Sequence, residues 1–243
     1  MNMKQLVQIV TLLILMACGT KNAFDCDGGV AKSQCSQRTK YENARIALDD
    51  GDLDTAITLL DELITDEPSN YERYPLLAAA YAARAGLDIL NIVTSNFGGS
   101  SSMLQTLSSV IPTPAALGSA YDQSLVDMNA ANEVLEAIPA ELRSSTSSDK
   151  YAASAVLQMT LYQSAYAVMY LNKFTYSASG YDPSLLSSMT ADDAAAILSA
   201  LAAAGAASGG AAGSAAQEAI AAIQAQPGST DAEKLAAWSQ SAR

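Results

Sequence analysis

The chain has 243 residues, half of them hydrophobic, with a formal net charge of −12 and no histidine. That length can bury a sizeable core in one domain or two closely packed halves. The lack of histidine removes the commonest general base and transition-metal ligand, and the acidity argues against nucleic acid, whose phosphates need clustered Lys and Arg.

The first twenty residues, MNMKQLVQIVTLLILMACGT, carry one early base at Lys4 and an apolar run from Leu6 to Met16. A run this short, ending in small residues, reads as a secretory signal rather than a membrane-spanning helix. Its ending, Leu15-Met16-Ala17-Cys18, resembles a bacterial lipobox, with Met16 in place of the usual small or β-branched residue. The resemblance implies cleavage of 1–17 and diacylglyceryl attachment to the Cys18 sulfur. Gly19 in place of Asp implies sorting to the outer membrane, facing the periplasm, with the inner membrane and the cell surface as alternatives. Several acyl chains such as palmitate, at about 0.8 kcal/mol per buried methylene, would make the attachment effectively permanent.

Export places the two remaining cysteines, Cys26 and Cys35, in a compartment that permits disulfides. A bridge between them is the expected arrangement, worth roughly 2–3 kcal/mol for so short a loop. It would staple a tether spanning 18–36 to the folded body. Their spacing is not that of a CxxC redox pair, and a zinc site would lack further ligands.

Residues 48–70, LDDGDLDTAITLLDELITDEPSN, pose a choice between a calcium loop and architecture. Asp50, Asp52 and Asp54 alternate as an EF-hand requires, but Thr55 and Asp61 stand where it needs glycine and a bidentate glutamate. Ala56, Ile57, Leu59, Leu60, Leu63 and Ile64 instead hold a helical period across the segment. Gly51 then ends one helix, Asp52 caps the next and Pro68 follows its end. This hairpin, over 37–70, resembles a tetratricopeptide (TPR) repeat, with Ala44 and Ala56 at its small positions and Leu60, Leu63 and Pro68 in register. A partial second unit follows in SNYERYPLLAAAYAARAG, carried by Tyr74, Leu77, Ala78 and Tyr81, with Ser69 and Glu72 as a capping box and Pro75 in the first turn. The repeat-like region is placed at 37–97.

The remainder, 98–243, reads as a helical, Ala-rich region packed on the repeats. Breakers at NFGGSSS and VIPTPAALG precede helices expected near 119–138 and 149–173, and no stretch alternates like a sheet. Thr190 with Asp193, and Thr230 with Glu233, read as capping boxes. The uncharged stretch from Ala194 to Gln217 is too weakly apolar to span a membrane. It is expected to form two helices joined at SGGAAG. The predicted fold class is therefore all-α, with TPR-like hairpins followed by a C-terminal helical bundle.

Two features carry functional expectations. Tyr162, Tyr166, Tyr170 and Phe174 recur every four residues, as a wall of a small-molecule cavity would, or as ordinary core packing would. Ten acids fall between Glu42 and Glu72 with Arg45 as the one base, either a surface for a basic partner segment or a solvated face. The partner-binding candidates are Asp54, Asp61, Glu62, Tyr74 and Tyr81. The chain is thus expected to be a lipid-anchored scaffold presenting a repeat groove to a protein partner. The alternative is a periplasmic small-molecule-binding component similar to the TPR lipoproteins of tripartite solute transporters. An enzyme is not expected, because no nucleophile, base and acid converge, and neither a metal nor a cofactor is called for.

Overall fold

The computed structural model describes residues 32–87, 107, 110–143, 151–207 and 211–241. Helix α1 (Lys32–Asp49) runs into a tight turn at Asp50 and Gly51, and α2 (Leu53–Asp66) returns from it. Gly51 sits at φ +79°, a conformation that a Cβ would strain. The Asp52 carboxylate accepts from the Thr55 amide at 3.3 Å, satisfying one free donor of the new helix. Ala56, Ile57, Leu60 and Leu63 then form the buried stripe of α2, so the alternating aspartates belong to a helix start and not to a metal loop. α1 begins before the expected boundary at 37, so the helical hairpin extends into the stretch assigned to the tether.

The chain next passes through a 3₁₀ turn (Tyr71–Arg73) into α3 (Tyr74–Arg84). The expected capping box at Ser69 and Glu72 does not start this helix. The extra turn puts Asn70 at its head with no side-chain cap, and Pro75 falls in the first turn of α3. The part of the second repeat expected beyond Leu87 falls on 88–97, outside the described residues.

A short α4 (Pro114–Leu117) and a 3₁₀ turn (Gly118–Ala120) lead into α5 (Tyr121–Glu136) and α6 (Ala152–Asn172). Both long helices match the expected segments to within three residues. A two-residue antiparallel pair, β1 (Tyr176–Ser177) with β2 (Gly180–Tyr181), is an addition that no alternating pattern announced; two paired residues per strand are too few to show a period. A 3₁₀ segment (Pro183–Ser188) then precedes α7 (Ala191–Ala207), α8 (Ala211–Gln224) and α9 (Asp231–Ser241). The fold is all-α. No helix among the described residues is long and apolar enough to cross a membrane.

Neighbours in sequence pack as neighbours in space: α1 on α2, α2 on α3, α3 on α5, α5 on α6, α6 on α7 and α7 on α8, with α9 against both α7 and α8. α6 lies at the centre and is buried nearly all round, contacting α3, α5, α7 and α8. Two expected capping boxes close helix starts. Asp193 accepts from the Thr190 amide at 2.9 Å and hydroxyl at 2.6 Å while its own amide donates to Thr190, and Glu233 and Thr230 repeat the exchange. In the Ala-rich hairpin, a Cβ on Gly205 would stand 3.0 Å from Cγ of Gln217, whose amide donates to the Gly205 carbonyl at 3.2 Å. Small side chains here permit close helix approach.

The buried side chains fall into two clusters that meet on α3. The smaller holds Ala44 and Ala47 of α1, Ala56, Ile57, Leu60 and Leu63 of α2, and Leu77 and Ala80 of α3. The larger takes Tyr74, Ala78 and Ala82 from α3 and runs through α5–α9.

Arginines flank α3 at both ends. Arg73, 6 % exposed, donates to the Leu63 carbonyl at the end of α2, which also accepts the Glu67 amide, and to the Glu67 carboxylate at 2.7 Å, placing a positive charge at the negative end of that helix. Arg84 donates to both Asp127 oxygens of α5, at 3.0 and 2.8 Å, and to Asp54 of α2 at 2.7 Å. The Asp127 side chain is 3 % exposed and that of Asp54 is 83 % exposed, so the two pairs differ in weight. Removing one partner of a buried pair leaves an uncompensated charge, whereas an exposed pair is screened by water. Arg84→Met is therefore expected to lower unfolding stability by on the order of 3 kcal/mol and Asp54→Asn by less than about 1 kcal/mol. The double variant Arg84→Met/Asp127→Leu should recover most of the loss, all read by urea denaturation. Equal effects of the first two variants would show that Asp127 is not the partner that matters.

Candidate functional site

The acidic partner-binding candidates lie on helices that place them in two groups. α2 and α3 run antiparallel, so Asp54 meets Arg84 and Asp61 meets Tyr81, whose hydroxyl lies 3.5 Å from the carboxylate. The Arg84 guanidinium also stands 5.3 Å over the Tyr81 ring, a cation–π contact. Asp54, Asp61, Tyr81 and Arg84 thus form one polar seam, joined through Arg84 to Asp127 and, by a 3.1 Å bond, to Gln123. Glu62 faces the other neighbour, α1, and receives a 2.7 Å bond from Lys40. Tyr74 is not on this surface. Its ring is buried against the larger core and 5.4 Å from Tyr71, and its hydroxyl donates to the Pro68 carbonyl at 2.7 Å.

Electrostatics follow from these neighbours. Partial desolvation raises the Asp61 carboxyl, against the opposing pull of the Tyr81 hydroxyl and Arg84. Burial raises the Tyr81 hydroxyl, aided by Asp61. The hydrogen bonds to Asp127 hold Arg84 more firmly charged than usual. Glu67 is lowered, first by the Asn70 amide and then by Arg73. Among the ten acids, Asp49, Asp50, Asp52, Asp61 and Asp66 are exposed without an ion pair among the described residues, and of these Asp52 and Asp61 accept internal hydrogen bonds.

Beside the α2–α3 turn lies an open, mostly polar cleft of about 330 Å³ lined by Gln37, Arg38, Tyr41, Glu67, Asn70, Glu72 and Arg73. It adjoins a second hollow of about 500 Å³ that continues along Asp66, Pro68, Ser69 and Tyr71 to Tyr151. This cleft, Arg73 and the Arg84–Asp127 pair are features that the sequence reading missed. One signal was available. Asp127 interrupts the apolar stripe of Leu125 and Met128, and a carboxylate in a core position needs a buried cation.

The aromatic series on α6 divides. A step of four residues advances about 40° around a helix, so four positions cannot face one wall. Tyr162 points into the core at 0 % exposure, and its hydroxyl has no hydrogen-bond partner. Tyr166 and Tyr170, both half-buried, stand 5.6 Å apart, and Phe174, just beyond the helix, is buried 6.1 Å from Tyr170. Tyr170 donates to Asp193 at 3.0 Å, and burial together with that carboxylate pushes it up to about 12. The series therefore runs from the sealed core to the α6–α7 junction.

Cys18 and Cys26 lie outside the described residues. Cys35 belongs to the backbone of α1, and its side chain lies outside the description. No group of three or more His, Cys, Asp or Glu is placed to hold a metal ion among the described residues.

Asp61 gives a pH prediction. Its raised folded value means that the stability it contributes is fully present below the unfolded aspartate value, about 3.9, and is lost as pH rises through the folded value. Asp61→Asn should therefore be at least as stable as the parent at pH 7, with the difference closing toward pH 3 in parallel thermal melts. A variant less stable at pH 7 and equal at pH 3 would reverse the sign and mark Asp61 as a net stabilising charge.

No protein-family model, curated protein or solved structure matches the chain.

Proposed function

We propose that the protein is an exported lipoprotein, acylated at Cys18 and held on the periplasmic face of the outer membrane, whose TPR-like helical body scaffolds a protein partner. It is not an enzyme in this reading and needs no cofactor. The observation that carries the proposal is the acidic α1–α2 hairpin, where Asp49, Asp50 and Asp66 stay exposed while other acids are spent on internal bonds. The hairpin carries an excess of negative charge over the bases of α1, and such an excess attracts a basic partner segment and speeds its encounter. The polar seam of Asp61 and Tyr81 and the cleft beside Arg73 add neighbouring groups that a segment in extended or helical form could meet.

A second reading, a small-molecule-binding component, is favoured by a different observation. Asn132 Oδ1, Gln158 Oε1, the Tyr162 hydroxyl and Ser164 Oγ are buried in α5 and α6 without a hydrogen-bond partner. Polar groups left so are costly, and a polar ligand bonded to any of them would offset part of that cost.

Native mass spectrometry on protein gently extracted from its own membranes separates the two readings. A protein-sized mass excess supports the scaffold, and a small-molecule excess supports the binding component. For the scaffold, the triple variant Asp49→Lys/Asp50→Lys/Asp66→Lys should reduce partner recovery at least about tenfold at low salt with helicity unchanged. Undiminished recovery of every partner would remove the acidic hairpin from consideration. For the anchor, Cys18→Ser should appear in the soluble fraction without acyl label, and persistent acyl labelling would overturn the assignment.

A further inference from the structure

We propose that α1 and α2 form a strap that separates from α3 as one unit while α3 remains with the body. Three observations carry this. First, the buried side chains of α1 belong to the smaller cluster, in which four alanines pack around Ile57, Leu60, Leu63 and Leu77. Alanines bury little apolar area, so this cluster holds its elements more weakly than the larger one. Secondly, among the described residues α1 and α2 place no buried side chain in the larger cluster and reach it through α3, whose Leu77 and Ala80 complete the smaller one. The extensive helix contacts of α1 and α2 are with each other and with α3.

Thirdly, the polar bonds across the two faces of α3 are unequal. Toward the body, Arg84 holds the buried Asp127 through both carboxylate oxygens. Toward the strap it holds the exposed Asp54 through one, and Tyr81 reaches Asp61 at 3.5 Å. Opening between α2 and α3 leaves the Arg84–Asp127 pair whole, whereas opening between α3 and α5 would break both of its bonds. Arg73 is the strongest tie that opening must release, and it lies beside the exposed turn of Pro68 and Ser69, where a hinge would fall. Opening along the α2–α3 interface therefore leaves the larger cluster and the Arg84–Asp127 pair intact, and the hairpin that carries the exposed acids is the part that moves.

Hydrogen-exchange mass spectrometry of the full chain over a series of urea concentrations below its unfolding transition tests the proposal. Amides of α1 and α2 are expected to exchange together, about tenfold or more faster than those of α6, with a shallower urea dependence, while α3 follows α6. Leu60→Ala should accelerate α1 and α2 by a common factor and leave α6 unchanged. Exchange of α1, α2 and α6 on one urea curve, or exchange of α3 with the strap, would overturn the proposal. So would an equal acceleration of α6 in Leu60→Ala.

Discussion

The arrangement depends on α3, a helix of eleven residues that must satisfy two cores at once with little side-chain volume. Ala78 and Ala82 turn toward the larger cluster and Ala80 toward the smaller, with Leu77 and Tyr74 supplying most of the bulk. Short side chains let neighbouring helices come close, but they interlock poorly and leave the axial register weakly fixed. The register is set at the ends. Arg73 closes the last turn of α2, and Arg84 ties α3 to the buried Asp127 of α5. A chain with few large apolar side chains in this region thus uses directional, charged bonds where a larger core would use shape.

That solution explains the sorting of the acidic residues. Asp52 caps a helix, Asp54 supports Arg84, Glu62 meets Lys40 and Glu67 joins Arg73, so these are parts of the architecture. Asp49 and Asp50 stand at the C-terminal end of α1 and Asp66 at that of α2, where the helix dipole disfavours negative charge. Acids retained there add to the negative potential of the hairpin without stabilising its helices. This is the physical basis for reading the hairpin as an electrostatic surface, and it separates three carboxylates from the ten.

The central helix α6 presents the opposite case. It is buried on nearly every side yet carries Thr160, Gln163, Ser164 and Asn172 among its buried residues. Thr160 returns its hydroxyl to the Val156 carbonyl at 3.0 Å and Gln163 reaches Glu136 at 2.8 Å, so much of this polarity is absorbed locally or by α5. The hydroxyls of Tyr162 and Ser164 are not absorbed. The tyrosine series contributes one ring to the interior and a tilted pair, Tyr166 and Tyr170, nearer the surface. Its chemistry therefore divides between core packing and the α6–α7 junction held by Asp193.

Much of the local structure was legible in the chain itself. The helix start at Asp52, the turn at Gly51 and the boxes at Thr190 and Thr230 depend on residues at most four apart, so sequence suffices to place them. The all-α class follows from the same short-range periodicity. The start of α3 was misread because Ser69 and Glu72 have the right spacing but the wrong phase: the chain inserts a 3₁₀ turn that brings Arg73 against Leu63. Only the tertiary structure decided which acids are consumed by bonds, because Arg84 meets Asp54 and Asp127 across separations of 30 and 43 residues. It likewise decided that Tyr162 is sealed and Tyr170 is not, since helical spacing gives the angle between two side chains but not which neighbour each one faces.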